Sequence, residues 1–290
     1  MPTVLDQTDA AERIRQVLTR ATARLHRISD TPELDAGLLL AHVLDKPRSF
    51  LFAHGGDAVA PAECAAFEAL VERRRAGEPV AYLVGTWGFW SLDLAVDARV
   101  LVPRPDTETL VETALALLPT EQPATVADLG TGSGAIALAI ARERPKCRVL
   151  ATDASPDALA VAAHNAERLA LDNVEFAEGD WFAALGEARF DMIVSNPPYV
   201  AEDDPHLTAL THEPRAALVA DDNGCSCLRR LAEGAAAHLV PGGWLLLEHG
   251  PDQGFFARHV LGRCGFRDVR TDQDLGDRPR VTLGMTRQER

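Results

Sequence analysis

Val126-Ala127-Asp128-Leu129-Gly130-Thr131-Gly132-Ser133-Gly134 decides the fold of this 290-residue chain. Apolar residues lead into a turn with glycine at every second position, and Ala135 to Arg142 continues as an apolar helix. A strand, a glycine turn and a helix in that order form the first unit of a nucleotide-binding sheet. Glycine allows positive φ and lets backbone N–H groups approach a ligand closely. The spacing is G-x-G-x-G, which departs from the dinucleotide pattern G-x-G-x-x-G.

Downstream, the chain alternates. Strands are predicted at 125–129, 147–152, 173–176, 190–195, 243–248, 266–271 and 280–285. Helices are predicted at 134–143, 156–170, 225–239 and 252–261. Such alternation gives an α/β fold with a mainly parallel, seven-stranded Rossmann-like sheet covered by helices on both faces.

Upstream, residues 1–77 read as a small helical domain. Ile14, Val17, Leu18, Ala21 and Leu25 share one helical face within 10–25. Thr31-Pro32-Glu33 reads as an N-cap followed by proline at the first helical position. Pro61 opens a third helix that runs to Arg73-Arg74-Arg75, where basic residues suit the helix dipole. Residues 78–105 read as a β-hairpin linker, because Trp87, Phe89, Leu92, Leu94, Val96, Val100 and Val102 fall near every second position. Asp106 is then expected to cap a helix over 107–118, the start of a third region, 106–290.

Three further motifs follow the strands. Asp153 ends the second strand of the alternating set, about 20 residues past the glycine turn, where such sheets place a carboxylate on ribose hydroxyls. Its plainer role would be to cap the helix opening at Ser155-Pro156. Gly179-Asp180-Trp181-Phe182 follows the third strand; Asp180 is suited to an adenine amino group and Trp181 to packing beside the base. Asn196-Pro197-Pro198-Tyr199 follows the fourth. Two prolines make a stiff, extended corner with no backbone donors. The Asn196 side-chain carbonyl and the Pro197 backbone carbonyl form a pair of acceptors for an NH2 group, and Tyr199 offers a flat surface. Such a pair favours a more pyramidal nitrogen and returns density to its lone pair, which is preorganisation toward a transition state.

The bulk properties exclude several classes. Net charge is −14, with 29 basic against 43 acidic residues, which disfavours nucleic acid as a partner. Five scattered cysteines suit a reduced, cytoplasmic protein and show no zinc spacing. No apolar run approaches the ~20 residues of a membrane span, and the N-terminus lacks a signal-peptide pattern.

Two more segments, Gly77-Glu78-Pro79-Val80-Ala81-Tyr82-Leu83-Val84-Gly85 and Val100-Leu101-Val102-Pro103-Arg104-Pro105-Asp106-Thr107-Glu108, resemble the protein-(glutamine) methyltransferases that modify peptide chain release factors. Arg280-Val281-Thr282-Leu283-Gly284 resembles their last strand. The resemblance spans nearly the whole chain. It implies S-adenosylmethionine as cofactor and the glutamine amide in the Gly-Gly-Gln loop of class 1 release factors as substrate. Gly130, Thr131, Gly132, Ser133, Gly134, Asp153, Trp181 and Asn196 would then contact the cofactor, beside Asp180. Asn196, Pro197, Pro198 and Tyr199 would hold the glutamine, with Asn196, Pro197 and Tyr199 as the catalytic set and no metal. The helical domain would help dock the release factor. A related ribosomal-protein glutamine methyltransferase usually has Ser-Pro where this chain has Pro105-Asp106. An adenine-N6 nucleic-acid methyltransferase shares the Asn-Pro-Pro-Tyr logic but generally needs a basic recognition region and base flipping. A nicotinamide oxidoreductase fits neither the glycine spacing nor the diproline corner, and a non-catalytic module does not explain Asn196.

Overall fold

A computed structural model describes residues 12–287. These divide into a helical unit that ends at Gly85 and an α/β unit that begins at Thr86.

The helical unit contains α1 (Ile14–Leu25), α2 (Pro32–Leu44), α3 (Arg48–Ala53), α4 (Pro61–Arg75) and α5 (Val80–Val84). Ile14, Val17, Ala21 and Leu25 of α1 meet Leu39 and Leu40 of α2 and Phe67 and Val71 of α4 in one core. The arginine run at the end of α4 is neutralised rather than free. Arg73 pairs with Glu78, Arg74 with Asp35 at 2.8 Å, and Arg75 with Glu72. Thr31 precedes α2 as expected, but its hydroxyl reaches Asp35 at 3.5 Å and caps no backbone N–H.

Residues 80–84 correct the hairpin expectation. They form a helical turn, opened by Pro79 and closed by Gly85 at φ +80°. Val80 and Leu83 bury in the helical core, which holds this segment as helix although it falls inside the expected linker. The hairpin itself is shorter, β1 (Thr86–Phe89) against β2 (Leu92–Ala95). It belongs to the α/β unit rather than bridging two domains. Trp90 at its tip donates its indole N–H to Glu143 and its backbone N–H to Glu108.

The α/β unit continues through α6 (Glu108–Leu117), β3 (Ala124–Leu129), α7 (Ala135–Glu143), β4 (Cys147–Asp153), α8 (Pro156–Leu169), β5 (Val174–Glu178) and β6 (Phe190–Ser195). It ends with α9 (Ser226–Ala235), β7 (Leu239–Glu248), α10 (Gly254–Arg263), β8 (Arg267–Gln273) and β9 (Pro279–Met285). The sheet order is β5-β4-β3-β6-β7-β9-β8. The first five strands run parallel, and β9 is antiparallel to both neighbours. The seven expected strands are therefore all present. β3 and β6 are buried along most of their length, which is why they read as mostly apolar runs, broken by Thr125 and Asp128 in the first and by Asp191 and Ser195 in the second.

Two boundaries differ from expectation. β7 begins at Leu239, because Pro241-Gly242-Gly243 is an irregularity within one strand and not the turn its composition suggests. Asp106 does not cap a helix. It lies in a 3-10 turn, Pro105–Thr107, and its carboxylate pairs with Arg278 and Arg280. Among the described residues, no helix is long and apolar enough to cross a membrane.

Strand order reverses at β3, which has β4 on one side and β6 on the other. In an open α/β sheet the ligand crevice lies outside the carboxyl ends of the strands at such a switch point.

Candidate active site

The four chemistry-bearing segments leave the carboxyl ends of β3, β4, β5 and β6, so the topology alone gathers them at this switch point. They line a cavity of about 490 Å³, within the range of small-molecule sites. Its walls include Gly130, Thr131, Gly132, Ser133, Asp153, Asp180, Trp181, Asn196 and Pro198.

The glycine loop is built from below by Asp128, which is fully buried. Its Oδ2 accepts from the Thr131 hydroxyl at 2.7 Å and from the Ala137 N–H at 3.2 Å. Its Oδ1 has no partner, and burial lifts the carboxyl pKa to about 7 despite those two donors. Above the loop, Gly130 and Gly132 adopt φ of +76° and +56°. A Cβ on Gly130 would stand 3.5 Å from the Trp181 ring, whereas one on Gly132 would meet nothing within 4 Å. Gly132 therefore borders open space in the cavity. Gly134 has a different role. It does not line the cavity; a Cβ there would come within 3.0 Å of Leu138 and 3.2 Å of Ala162, so this glycine serves the packing of α7.

Asp153 is released from capping. Ser155 caps α8 itself, its Oγ accepting from the Ala158 N–H at 3.2 Å. Asp153 Oδ2 accepts from the Gly132 N–H and Oδ1 from the Ser155 N–H, each at 2.9 Å. A carboxylate has about four lone-pair sites, so both oxygens keep acceptor capacity for a pair of hydroxyls. Asp180 lines the cavity, but its exposed carboxylate accepts from Arg230 at 2.6 Å. Trp181 sits at φ +54°, and its ring lies against Gly130.

The Asn-Pro-Pro-Tyr corner is pinned on several sides. Asn196 Nδ2 donates to the Thr107 hydroxyl oxygen at 3.2 Å. The Tyr199 carbonyl accepts from Gln253 Nε2 at 3.0 Å. Val200 exchanges backbone hydrogen bonds with Leu218 and Ala220. Among the described residues, neither Asn196 Oδ1 nor the Pro197 carbonyl has a hydrogen-bond partner; Asn196 borders the cavity, while Pro197 is buried beside it. Pro197 and Tyr199 are not walls of the cavity. Tyr199 was expected as a flat stacking surface; its hydroxyl instead donates to Glu248 Oε1 at 3.4 Å. Burial pushes its phenol pKa upward.

Several residues here gave no local signal. Glu248 ends β7 and is fully buried, with Oε2 unpartnered. Burial raises its pKa to about 7, while the Thr107 hydroxyl, the Arg280 charge and the Tyr199 hydroxyl oppose that rise. Asn165 of α8 bonds both polar groups of Ala95 and the Ser133 carbonyl, which ties the hairpin to the glycine loop. Glu213 accepts from the Val102 N–H and from Arg104, fixing a segment that borders the cavity.

Known proteins resemble this chain in sequence and in fold. Residues 16–85 match the family model described as the PrmC N-terminal domain, and residues 106–255 match the methyltransferase small domain. A release factor glutamine methyltransferase from Xylella fastidiosa is 54% identical over 92% of this chain and 96% of its own. One from Escherichia coli is 50% identical over 88% and 93%, and one from Vibrio cholerae 47% over 96% and 98%. Among solved structures, a methyltransferase from Pyrococcus furiosus superposes with a TM-score of 0.53 at 20% identity, covering 76% of this chain and 98% of that one. A 16S rRNA N2 G1207 methyltransferase from T. thermophilus, in complex with AdoMet and guanosine, gives 0.52 at 23% identity, covering 70% and 50%.

Fold and cavity together define a Rossmann-like methyltransferase that uses S-adenosylmethionine. The lining fits that cofactor: an Asp153 carboxylate with spare acceptor sites for a ribose, a glycine cradle open at Gly132, and an indole beside it. Within that class, the chain belongs to the release factor glutamine methyltransferase family.

Proposed function

We propose that the protein methylates the side-chain amide nitrogen of a glutamine in peptide chain release factors, the one in the Gly-Gly-Gln loop of class 1 factors. The observation that carries this reading is the shared cavity: the glycine loop and Asp153 border the same space as Asn196 and Pro198. A donor held by the first set and an amide held by the second would meet without leaving the enzyme.

S-adenosylmethionine supplies an electrophilic methyl carbon. The protein's task is the nucleophile. An amide nitrogen is weak because its lone pair is delocalised into the carbonyl. Asn196 Oδ1 and the Pro197 carbonyl would accept the two amide hydrogens and so hold the nitrogen in a fixed direction. Acceptors placed for the transition state favour the pyramidal nitrogen over the planar ground state. Fixing the approach also removes the entropic cost of alignment. Gly130, Thr131, Gly132, Ser133, Asp153 and Trp181 would hold the cofactor. Gly134 would act through the packing of α7, and Asp180, which lines the cavity, would join with the acceptor capacity that its Arg230 pair leaves free. Tyr199 would brace the corner from its partner Glu248 rather than stack on the amide. The helical unit, residues 12–85, would contribute to docking the release factor, whose site of action also implies a cytoplasmic enzyme.

The names of the relatives support the release-factor substrate, and the −14 net charge supports a protein over a nucleic-acid substrate. The test is incubation with methyl-labelled S-adenosylmethionine and, separately, a release factor, ribosomal proteins and adenine-containing DNA or RNA. Label in the release factor, abolished when its Gly-Gly-Gln glutamine is replaced, is the expected result. Label in ribosomal protein or nucleic acid alone would overturn the assignment.

A further inference from the structure

We propose that Glu213 is a positioning residue whose carboxylate closes a ring of contacts beside the cavity and thereby sets where the Asn-Pro-Pro-Tyr corner stands. Three segments make the ring, and each supplies walls of the cavity: the strap 100–107 with Pro103 and Thr107, the turn 213–220 with Pro214 and Ala217, and the corner with Asn196 and Pro198. The corner meets the strap where Asn196 Nδ2 donates to the Thr107 hydroxyl oxygen at 3.2 Å. It meets the turn through Val200, which donates to the Leu218 carbonyl at 2.9 Å and accepts from the Ala220 N–H at 3.0 Å. The strap meets the turn through Glu213. Its Oε2 accepts from the Val102 N–H at 3.1 Å and its Oε1 from Arg104 Nη2 at 2.5 Å.

The chemistry of this third link singles out a carboxylate. The Val102 N–H belongs to a buried residue, and Pro103 and Pro105 deny the strap the donors of a β ladder, so that N–H needs an acceptor brought from elsewhere. Arg104, two residues on, brings a second donor to the same place. Two convergent donors need two acceptor oxygens with no donor between them, which among side chains only Asp and Glu provide. The Glu213 side chain is only 3% exposed, so water has little access to replace it. Its backbone is held as well: its N–H donates to the Leu210 carbonyl at 3.0 Å, and Pro214 follows directly. Opening the Glu213 link would loosen the strap that carries Thr107 and the turn that holds Val200. Those are the supports on either side of the corner.

The effect on catalysis rests on the reading that the corner holds the substrate amide; the ring itself does not. The test compares Glu213→Ala, which breaks both bonds, with Glu213→Gln, whose carbonyl can still accept from Val102 but whose amide opposes the Arg104 donor. The first readout is backbone hydrogen exchange by NMR without substrate, at Val102 and, across the ring, at Val200 and Ala220. Glu213→Ala should speed exchange at all three by about fivefold or more, the scale of one net hydrogen bond. Glu213→Gln should fall between it and wild type. A carboxylate with a purely local role would move Val102 alone. The second readout is turnover on release factor beside titration of S-adenosylmethionine. In Glu213→Ala, kcat should fall roughly 10- to 100-fold, the scale of a reacting group displaced by up to about 1 Å, with a smaller change in cofactor Kd. Glu213→Gln should recover part of kcat. Unchanged exchange at Val200 and Ala220 in the folded Glu213→Ala protein, or a kcat within about twofold of wild type, would overturn the proposal. Should Glu213→Ala fail to fold, Glu213→Gln decides by the same readout, and wild-type exchange at Val200 and Ala220 would overturn it. A wild-type enzyme that transfers nothing to release factor would refute the functional reading alone, and amide exchange would still decide the ring.

Discussion

Replacing Gly224 with alanine should cripple turnover without touching a ligand. Asp222, Asn223 and Gly224 are three successive left-handed residues, with Gly224 at φ +79°. A Cβ on Gly224 would stand 2.1 Å from the Tyr199 carbonyl oxygen and 2.8 Å from Gln253 Nε2. An ordinary contact needs about 3.5 Å, so the corner must withdraw by roughly 1 Å. That carbonyl and that amide nitrogen form the 3.0 Å hydrogen bond that pins the corner, so the bond is disturbed as well. The left-handed backbone adds roughly 1–2 kcal/mol for a residue with a side chain. Misplacing a reacting group by 1 Å can cost on the order of 100-fold in rate. Gly224 is not a wall of the cavity, so cofactor affinity should change little. The assay is steady-state turnover on release factor beside calorimetric titration of S-adenosylmethionine. A Gly224→Ala enzyme with kcat within about twofold of wild type would refute the claim that the position of the corner controls the reaction, since the expected loss is far larger.

Three further outcomes follow from the same geometry. Asn196→Ala should bind cofactor appreciably yet lose roughly 100-fold or more in turnover, the scale of removing one group that hydrogen-bonds the transition state; near-normal kcat would remove Asn196 from the chemistry. Asp153→Ala should raise the KM for S-adenosylmethionine more than it lowers kcat, because ribose contacts bind ground and transition states alike; an unchanged KM would dissociate Asp153 from the cofactor. Burial lifts the Asp128 carboxyl from 3.8 to about 7, so the folded state holds its proton where the unfolded state has lost it. Its contribution to stability is present below pH 3.8 and declines as pH rises through 7. Asp128→Asn lacks this decline, so its unfolding free energy relative to wild type should rise by roughly 4 kcal/mol from acid to pH 8. Chemical denaturation at both pH values would expose a flat difference if the assignment is wrong.

The legible and illegible parts of the molecule divide on physical grounds. β3 and β6 announced themselves because a strand buried on both faces is mostly apolar, and the glycine turn announced α7. Asp153 and Asn196 were found because strand ends at a switch point face the crevice whatever the rest of the chain does. α3, at Arg48–Ala53, escaped because six residues carry too little periodicity. α5 escaped because five residues carry too little periodicity and fall inside the expected 78–105 hairpin linker; the helical core it enters decides otherwise. The supporting residues were invisible because their partners are remote in sequence. Arg280 and Asp106 lie 174 residues apart, Val102 and Glu213 111, and Asn196 and Thr107 89. No local pattern encodes such pairings. Gly224 is the instructive case: as a lone glycine after Asp222-Asn223 it reads as a turn, while its necessity comes from a carbonyl on another loop.

A crystal structure with S-adenosylhomocysteine and a glutamine-containing release-factor peptide would test the account most directly. The account predicts the nucleoside between Gly132 and Asp153, and the glutamine nitrogen within hydrogen-bonding distance of Asn196 Oδ1 and the Pro197 carbonyl. A nucleoside bound away from the glycine loop, or a glutamine amide whose hydrogens go to neither oxygen, would contradict it.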